Sequence, residues 1–183
     1  NVPGALTRID LSRGQTSVRE SLATQTVGSL LLLSGFVILA RDLAHQRWRD
    51  LIQAGRPLPD YLRQYPIWYA GPARTPPGMP IGSVGPTTSG RMDQCFAQLM
   101  AQGGSWLTIG KGQRSATAVD ACRAYGGWYL GTIGGVAALL AREHVSSCEL
   151  IDHADLGMEA VYRVRLRDLP VFVVIDHHGN HMY

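Results

Sequence analysis

Three times between Ile67 and His144 the chain repeats one pattern: a short apolar run, a glycine-bearing turn, then residues at helical spacing. Residues 67–70, 106–109 and 128–131 are the apolar runs, and residues 91–102, 115–125 and 136–144 carry the helical spacing. A strand that feeds a helix and then another strand must cross back over its sheet, which favours parallel pairing. The expected fold class is therefore α/β, with a mixed or largely parallel sheet and flanking helices. Ligands in such sheets sit at the carboxyl ends of strands, near helix N-termini.

The flanks extend the pattern. Residues 27–40 (VGSLLLLSGFVILA) form the longest apolar run. It is too short to cross a bilayer, and Ser34-Gly35 interrupts it. Two buried strands joined by a tight turn are expected there. Residues 41–54 place Leu43, Trp48, Leu51 and Ile52 near a helical period, and Gly55 stops that helix. A short helix is expected over residues 17–23, with Val18 and Leu22 facing inward, and Asp10 or Ser12 starts a turn before it. Residues 71–85 read as a loop, residues 161–166 and 172–176 as strands, and residues 177–180 as their exit turn. Twenty-one glycines and ten prolines among 183 residues suit so many turns. With no repeat, low-complexity tract or linker, residues 1–183 read as one domain. The chain opens on Asn1 rather than Met, which points to a cut or to a leader, and no signal peptide is recognisable.

A net charge of +3 with no dense Lys/Arg stripe gives no reason to expect a nucleic-acid partner, and no membrane partner is expected either. Cys95, Cys122 and Cys148 are odd in number, far apart and in no C-x-x-C. They suggest buried thiols in a reducing compartment rather than disulfides, and they form no visible zinc or iron–sulfur ligand set. Asp176-His177-His178-Gly179-Asn180-His181 fixes no ligand geometry and reads as turn chemistry, so no metal ligands are assigned.

Four strand-to-helix junctions carry the polar chemistry: Arg41-Asp42-Leu43-Ala44-His45, the segment from Gly85 to Asp93, Gly110-Lys111-Gly112-Gln113-Arg114-Ser115, and Gly131-Thr132-Ile133-Gly134-Gly135. Arg41, Arg91 and Lys111 offer three cations on separate turns. Thr87, Thr88, Ser89 and Ser115 offer hydroxyls, and the glycines let backbone N–H groups approach a ligand. Such a set suits a small dicarboxylate or a phosphate. The lysine turn lacks the spaced glycines of a nucleotide phosphate loop. Taken singly, Thr87-Thr88 reads equally well as a helix cap, Arg41-Asp42 as an ion pair, and any one arginine as solvated surface.

Read together, Arg41-Asp42-Leu43-Ala44-His45, Tyr69-Ala70-Gly71-Pro72-Ala73, Gly85-Pro86-Thr87-Thr88-Ser89-Gly90-Arg91-Met92-Asp93, Gly126-Gly127-Trp128-Tyr129-Leu130-Gly131-Thr132-Ile133-Gly134-Gly135 and Leu156-Gly157-Met158-Glu159-Ala160-Val161 closely resemble the C-terminal half of class I fumarate hydratases. The likeness runs in order from about Ile9 to Asn180. The beta subunit of L-tartrate dehydratase is similar in its Arg-Asp and Gly-Pro-Thr-Thr elements.

The resemblance implies a swivelling β/β/α domain and reversible hydration of fumarate to L-malate, in the cytoplasm. It implies a [4Fe–4S] cluster held by an N-terminal domain or alpha subunit, with one iron acting as Lewis acid, and a homodimer in the full enzyme. Arg41, Arg91 and Lys111 match positions that hold the substrate's carboxylates and hydroxyl. Thr87 matches the proposed base, and Asp42 and His45 lie in a matching motif that orients or relays. Ser89 stands where fumarases carry Ala, Gln113 where Asn is expected and Val136 where Pro is expected. Two other readings stay open: a tartrate-type dehydratase subunit, and a non-catalytic dicarboxylate-binding module.

Overall fold

The computed structural model describes residues 6–72, 84–133 and 137–183. Apolar residues dominate the strands: β1 (Thr7–Asp10), β2 (Leu30–Leu39), β3 (Ile67–Trp68), β6 (Leu107–Gly110), β7 (Trp128–Thr132), β8 (Val145–Asp152) and β9 (Val161–Ile175) form one sheet. A separate antiparallel pair, β4 (Ala70–Pro72) with β5 (Val84–Pro86), stands beside it. The helices are α1 (Gln15–Ala23), α2 (Asp42–Gln53), α3 (Tyr61–Gln64), α4 (Asp93–Ala101), α5 (Ala116–Tyr125) and α6 (Ala137–His144).

The expected parallel pairing is present along β1–β2, β2–β3, β3–β6 and β6–β7. Strand β9 then runs antiparallel to β7, β8 and β2. Because β9 reaches back to β2, the strands β2, β3, β6, β7 and β9 close into a five-membered ring. A mixed sheet closed in this way, with helices outside, agrees with the swivelling β/β/α domain implied by the resemblance.

Strand alternation sorts the core. Leu31, Leu33, Val37, Leu39, Trp68, Leu107, Ile109, Trp128, Leu130, Val171 and Val173 share one buried cluster, joined by Val18 and Leu22 of α1. The intervening residues Ile38, Ile67 and Tyr69 pack instead with Ala44 and Trp48 of α2 and Leu99 of α4. Tyr129 and Ile175 pack with Ala118 and Cys122 of α5. With helices covering that second face, the first set fills the ring.

Four points differ from the expectation. Residues 30–39 form one strand rather than two, with a register shift between Leu33 and Gly35 in place of a turn. Residues 161–175 also form one strand. It passes through Pro170 because β9 changes partner there, from β8 to β7. Strand β8 occupies residues that carried no assignment. The helix expected from Arg91 begins at Asp93, after a 3₁₀ turn over Ser89–Met92. Elsewhere the local chemistry holds. The Ser115 side chain caps α5 by accepting from the Ala118 N–H, and Gly126 ends it in the left-handed region. Asp10 accepts from the Ser12 N–H at the turn before α1. Among the described residues no helix is long and apolar enough to cross a membrane.

Candidate functional site

Parallel strands bring their carboxyl ends to one side, and the expected polar turns gather there. Arg41 follows β2 and caps α2, Tyr69 follows β3, Lys111 follows β6, and Ile133 follows β7. The segment 87–89 is stitched between two of these ends. The Thr87 N–H donates to the Tyr69 carbonyl at 2.9 Å, and the Ser89 N–H donates to the Lys111 carbonyl at 2.9 Å. Thr88 makes no side-chain cap bond, so the threonine pair is not acting as a helix cap.

Arg41 Nε donates to Thr87 Oγ1 at 2.8 Å, and Thr87 is buried. The arginine stem lies against Gly71, where an added Cβ would meet Arg41 Cδ and the Met158 carbonyl oxygen at 2.7 Å each. That position must be glycine for Arg41 to reach the threonine. Arg91 Nη1 meets Asp42 Oδ2 at 3.2 Å, with the arginine 62% exposed. Lys111 is exposed and makes no ion pair among the described residues. Gly110 beside it leaves room for Ser89, whose Oγ would lie 2.0 Å from an added Cβ. Arg41 and Thr87 thus touch, Asp42 and Arg91 touch, and Lys111 is tied to the same segment through its backbone.

His45 sits behind these groups, 4% exposed, between the rings of Trp48 and Tyr69. Its Nδ1 lies 2.8 Å from the Arg41 carbonyl. A carbonyl only accepts, so Nδ1 carries the proton. Burial pushes the imidazole down to about 4, against a smaller upward pull from that hydrogen bond, so His45 is neutral at pH 7. It holds the backbone of Arg41 and carries no charge of its own.

Two small cavities, each about 250 Å³, open on either side of the segment. One is lined by Asp42, His45, Arg49, Arg91, Gln94 and Cys95 among others. The other is lined by Lys111, Gly112, Tyr129, Thr132, Phe172 and Tyr183 among others. Gly134 and Gly135, part of the fourth candidate turn, lie outside the described residues, as does most of the loop expected over residues 71–85.

Three site-forming residues had no role in the sequence reading. Arg114 has a fully buried side chain, and its Nε donates to Asp93 Oδ1 at 2.7 Å. Asp93 Oδ2 accepts the Ser115 N–H at 2.7 Å. The Tyr129 hydroxyl lies 2.7 Å from Ser89 Oγ and 2.8 Å from the Gly112 carbonyl, and burial pushes it up to about 12, so it stays protonated. All three fell inside quoted motifs, but Arg114 looked like any solvated arginine.

The thiols do not fit an iron–sulfur cluster, which needs several cysteine sulfurs converging as thiolates. Burial pushes Cys95 up to about 11 and Cys122 up to about 12, and Cys148 lies on the outer strand β8. Among the described residues no three His, Cys, Asp or Glu side chains gather around a metal-sized space. The 176–181 stretch is a turn, in which Asp176 Oδ1 accepts the N–H groups of His178 and Asn180.

A family model described as the fumarase C-terminus matches residues 3–183. The chain belongs to the fumarase C-terminus family. Among curated relatives, it is 45% identical over 176 residues to "Fumarate hydratase 2" of Leishmania major, covering 96% of this chain and 31% of that protein. It is 43% identical over 180 residues to "Fumarate hydratase class I, anaerobic" of Escherichia coli strain K12, covering 98% and 33%. It is 33% identical over 167 residues to "L(+)-tartrate dehydratase subunit beta" of the same strain, covering 89% and 81%. The chain thus spans about a third of the length of the fumarate hydratases it matches. The tartrate dehydratase beta subunit is a sister branch of this fumarase C-terminus family.

Proposed function

We propose that this chain, residues 1–183 as one domain, is the substrate-gripping part of a fumarate hydratase that interconverts fumarate and L-malate. It works in the cytoplasm together with a separate domain or alpha subunit that bears the [4Fe–4S] cluster. The observation that carries the reading is the Arg41–Thr87 contact, set among Arg91 and Lys111 at the carboxyl ends of the ring strands.

Each residue's part follows from its chemistry. Arg41, Arg91 and Lys111 supply the positive charge that two carboxylates need, and a guanidinium can hold both oxygens of one. Asp42 orients Arg91 until substrate takes its place on the guanidinium. Thr87 takes the proton from the carbon beside a carboxylate. A threonine hydroxyl is a weak base at neutral pH. The Arg41 Nε–H bond to Oγ1 favours the alkoxide, and a closed, dry site strengthens that effect. His45 fixes the Arg41 backbone rather than meeting substrate.

The test is turnover of malate, L-tartrate and mesaconate by this chain assembled with its cluster-bearing half. Malate is expected to be consumed fastest, and the isolated, iron-free chain is expected to be inactive. Activity in that isolated chain would overturn the reading. A second reading, a subunit of a tartrate-type dehydratase, is favoured by Ser89 and by the 81% coverage of the beta subunit. Preference for L-tartrate in the same assay would establish it.

A further inference from the structure

We infer that Tyr129 and the buried Asp93–Arg114 pair are positioning residues that fix the spacing between the turn bearing Thr87 and Arg91 and the turn bearing Lys111. The inference rests on reading those turns as the substrate grip, and it assigns work to groups that grip does not itself use.

Both links span the same two turns. The Tyr129 hydroxyl bridges Ser89 Oγ at 2.7 Å and the Gly112 carbonyl at 2.8 Å. Ser89 lies between Thr87 and Arg91, and Gly112 adjoins Lys111. Asp93, two residues past Arg91, holds Arg114 Nε with one oxygen and the Ser115 N–H with the other, each at 2.7 Å. Arg114, three residues past Lys111, is further pinned by Thr108 Oγ1 at 3.2 Å, by the Tyr183 hydroxyl on its backbone N–H at 3.0 Å, and by the Phe96 ring 3.9 Å from its guanidinium carbon.

A buried ion pair is a poor way to gain stability, because the desolvation cost can exceed the attraction. What it does supply is fixed geometry. A grip made of cations on separate turns depends on that geometry, since misplacing a substrate by about 1 Å can cost ~100-fold in rate. Tyr129 and Arg114 are both buried, Tyr129 forming part of the wall of the cavity beside Lys111; they act through Ser89, Gly112 and Asp93.

The test uses the assembled enzyme with its cluster-bearing half, measuring kcat and KM for malate in Tyr129→Phe, Asp93→Asn and Arg91→Lys, and in Asp93→Asn combined with Arg91→Lys. Asp93→Asn is expected to lower kcat/KM about 10- to 100-fold, with a raised KM, and Tyr129→Phe about 5-fold. In the Arg91→Lys background Asp93→Asn is expected to add less than about 2-fold, because both changes then act on one grip. A merely structural role would lower the yield of active enzyme with KM unchanged, and that result overturns the inference, as does an undiminished Asp93→Asn effect in the Arg91→Lys background. If Asp93→Asn does not fold, Tyr129→Phe decides alone, since it removes a single oxygen: a wild-type KM sinks the clamp. Loss of all dicarboxylate turnover in the wild-type enzyme would instead sink the grip reading on which the clamp stands.

Discussion

The carboxyl end of the ring and its outer flank handle charge in opposite ways. At the carboxyl end Arg114 and Asp93 pair with side chains 0% and 10% exposed. On the flank Arg8 meets Asp168 at 2.6 Å with side chains 68% and 42% exposed. His45, Thr87, Ser89, Thr108 and Arg114, all at or behind the candidate site, are five of the seven buried polar side chains among the described residues. Water would solvate these groups better than protein does, so burying them is costly unless every partner is in place. The difference teaches where this fold tolerates cost: around the candidate site, and not where charge only keeps a surface wet.

The largest expected effect comes from breaking the buried pair. Arg114→Met leaves the Asp93 carboxylate buried without its cation and should lower stability by about 3–5 kcal/mol, read from the urea midpoint. A cost comparable to that of a surface pair would end the contrast.

Next comes pH. His45 sits near 4 in the folded chain against 6.5 for an ordinary imidazole. Below pH 6.5 the unfolded chain takes up a proton that the folded chain refuses. Stability is therefore full above that pH and declines as pH falls toward 4, by on the order of 3 kcal/mol. Urea titrations at several pH values should show a shallower slope in this window for His45→Gln than for the unaltered chain.

Tyr61 tests an intermediate case. Its hydroxyl donates to Asp152 Oδ2 at 2.7 Å and accepts from Trp48 Nε1 at 3.2 Å in a half-buried setting. Tyr61→Phe should cost about 1 kcal/mol by thermal or urea unfolding. The smallest effect belongs to the flank: Arg8→Ala should cost less than about 1 kcal/mol, and the difference should vanish at about 1 M salt.

The same contrast explains what could be read in advance. The crossover order was legible because each strand of the repeated pattern ended in a glycine turn and each following helix kept its period. Arg41, Thr87, Arg91 and Lys111 were legible as a set because they fell on those turns. Strand β8 was not, because its exposure alternates irregularly along a ribbon paired on one side only, which leaves no clean apolar period. The unbroken β9 was hidden by Asp168 and Pro170. Asp168 takes φ 47°, and a proline ordinarily ends a strand, but here the ladder changes partner at that place. Arg114 was illegible in principle: an arginine shows its burial only once Phe96, Tyr69 and Tyr129 are brought around it from distant segments.

Ring closure has a consequence for how the site comes apart. In an open sheet the turns at one edge can fray while the others persist. Here β2, β3, β6, β7 and β9 each have a neighbour on both sides, so no site-bearing strand is free to loosen first. Amide hydrogens at Leu39, Trp68, Ile109 and Leu130 should then exchange as one slow class governed by global opening, while those of α6 and β8 exchange sooner. The turns that follow these strands would lose their arrangement together, at the unfolding transition itself.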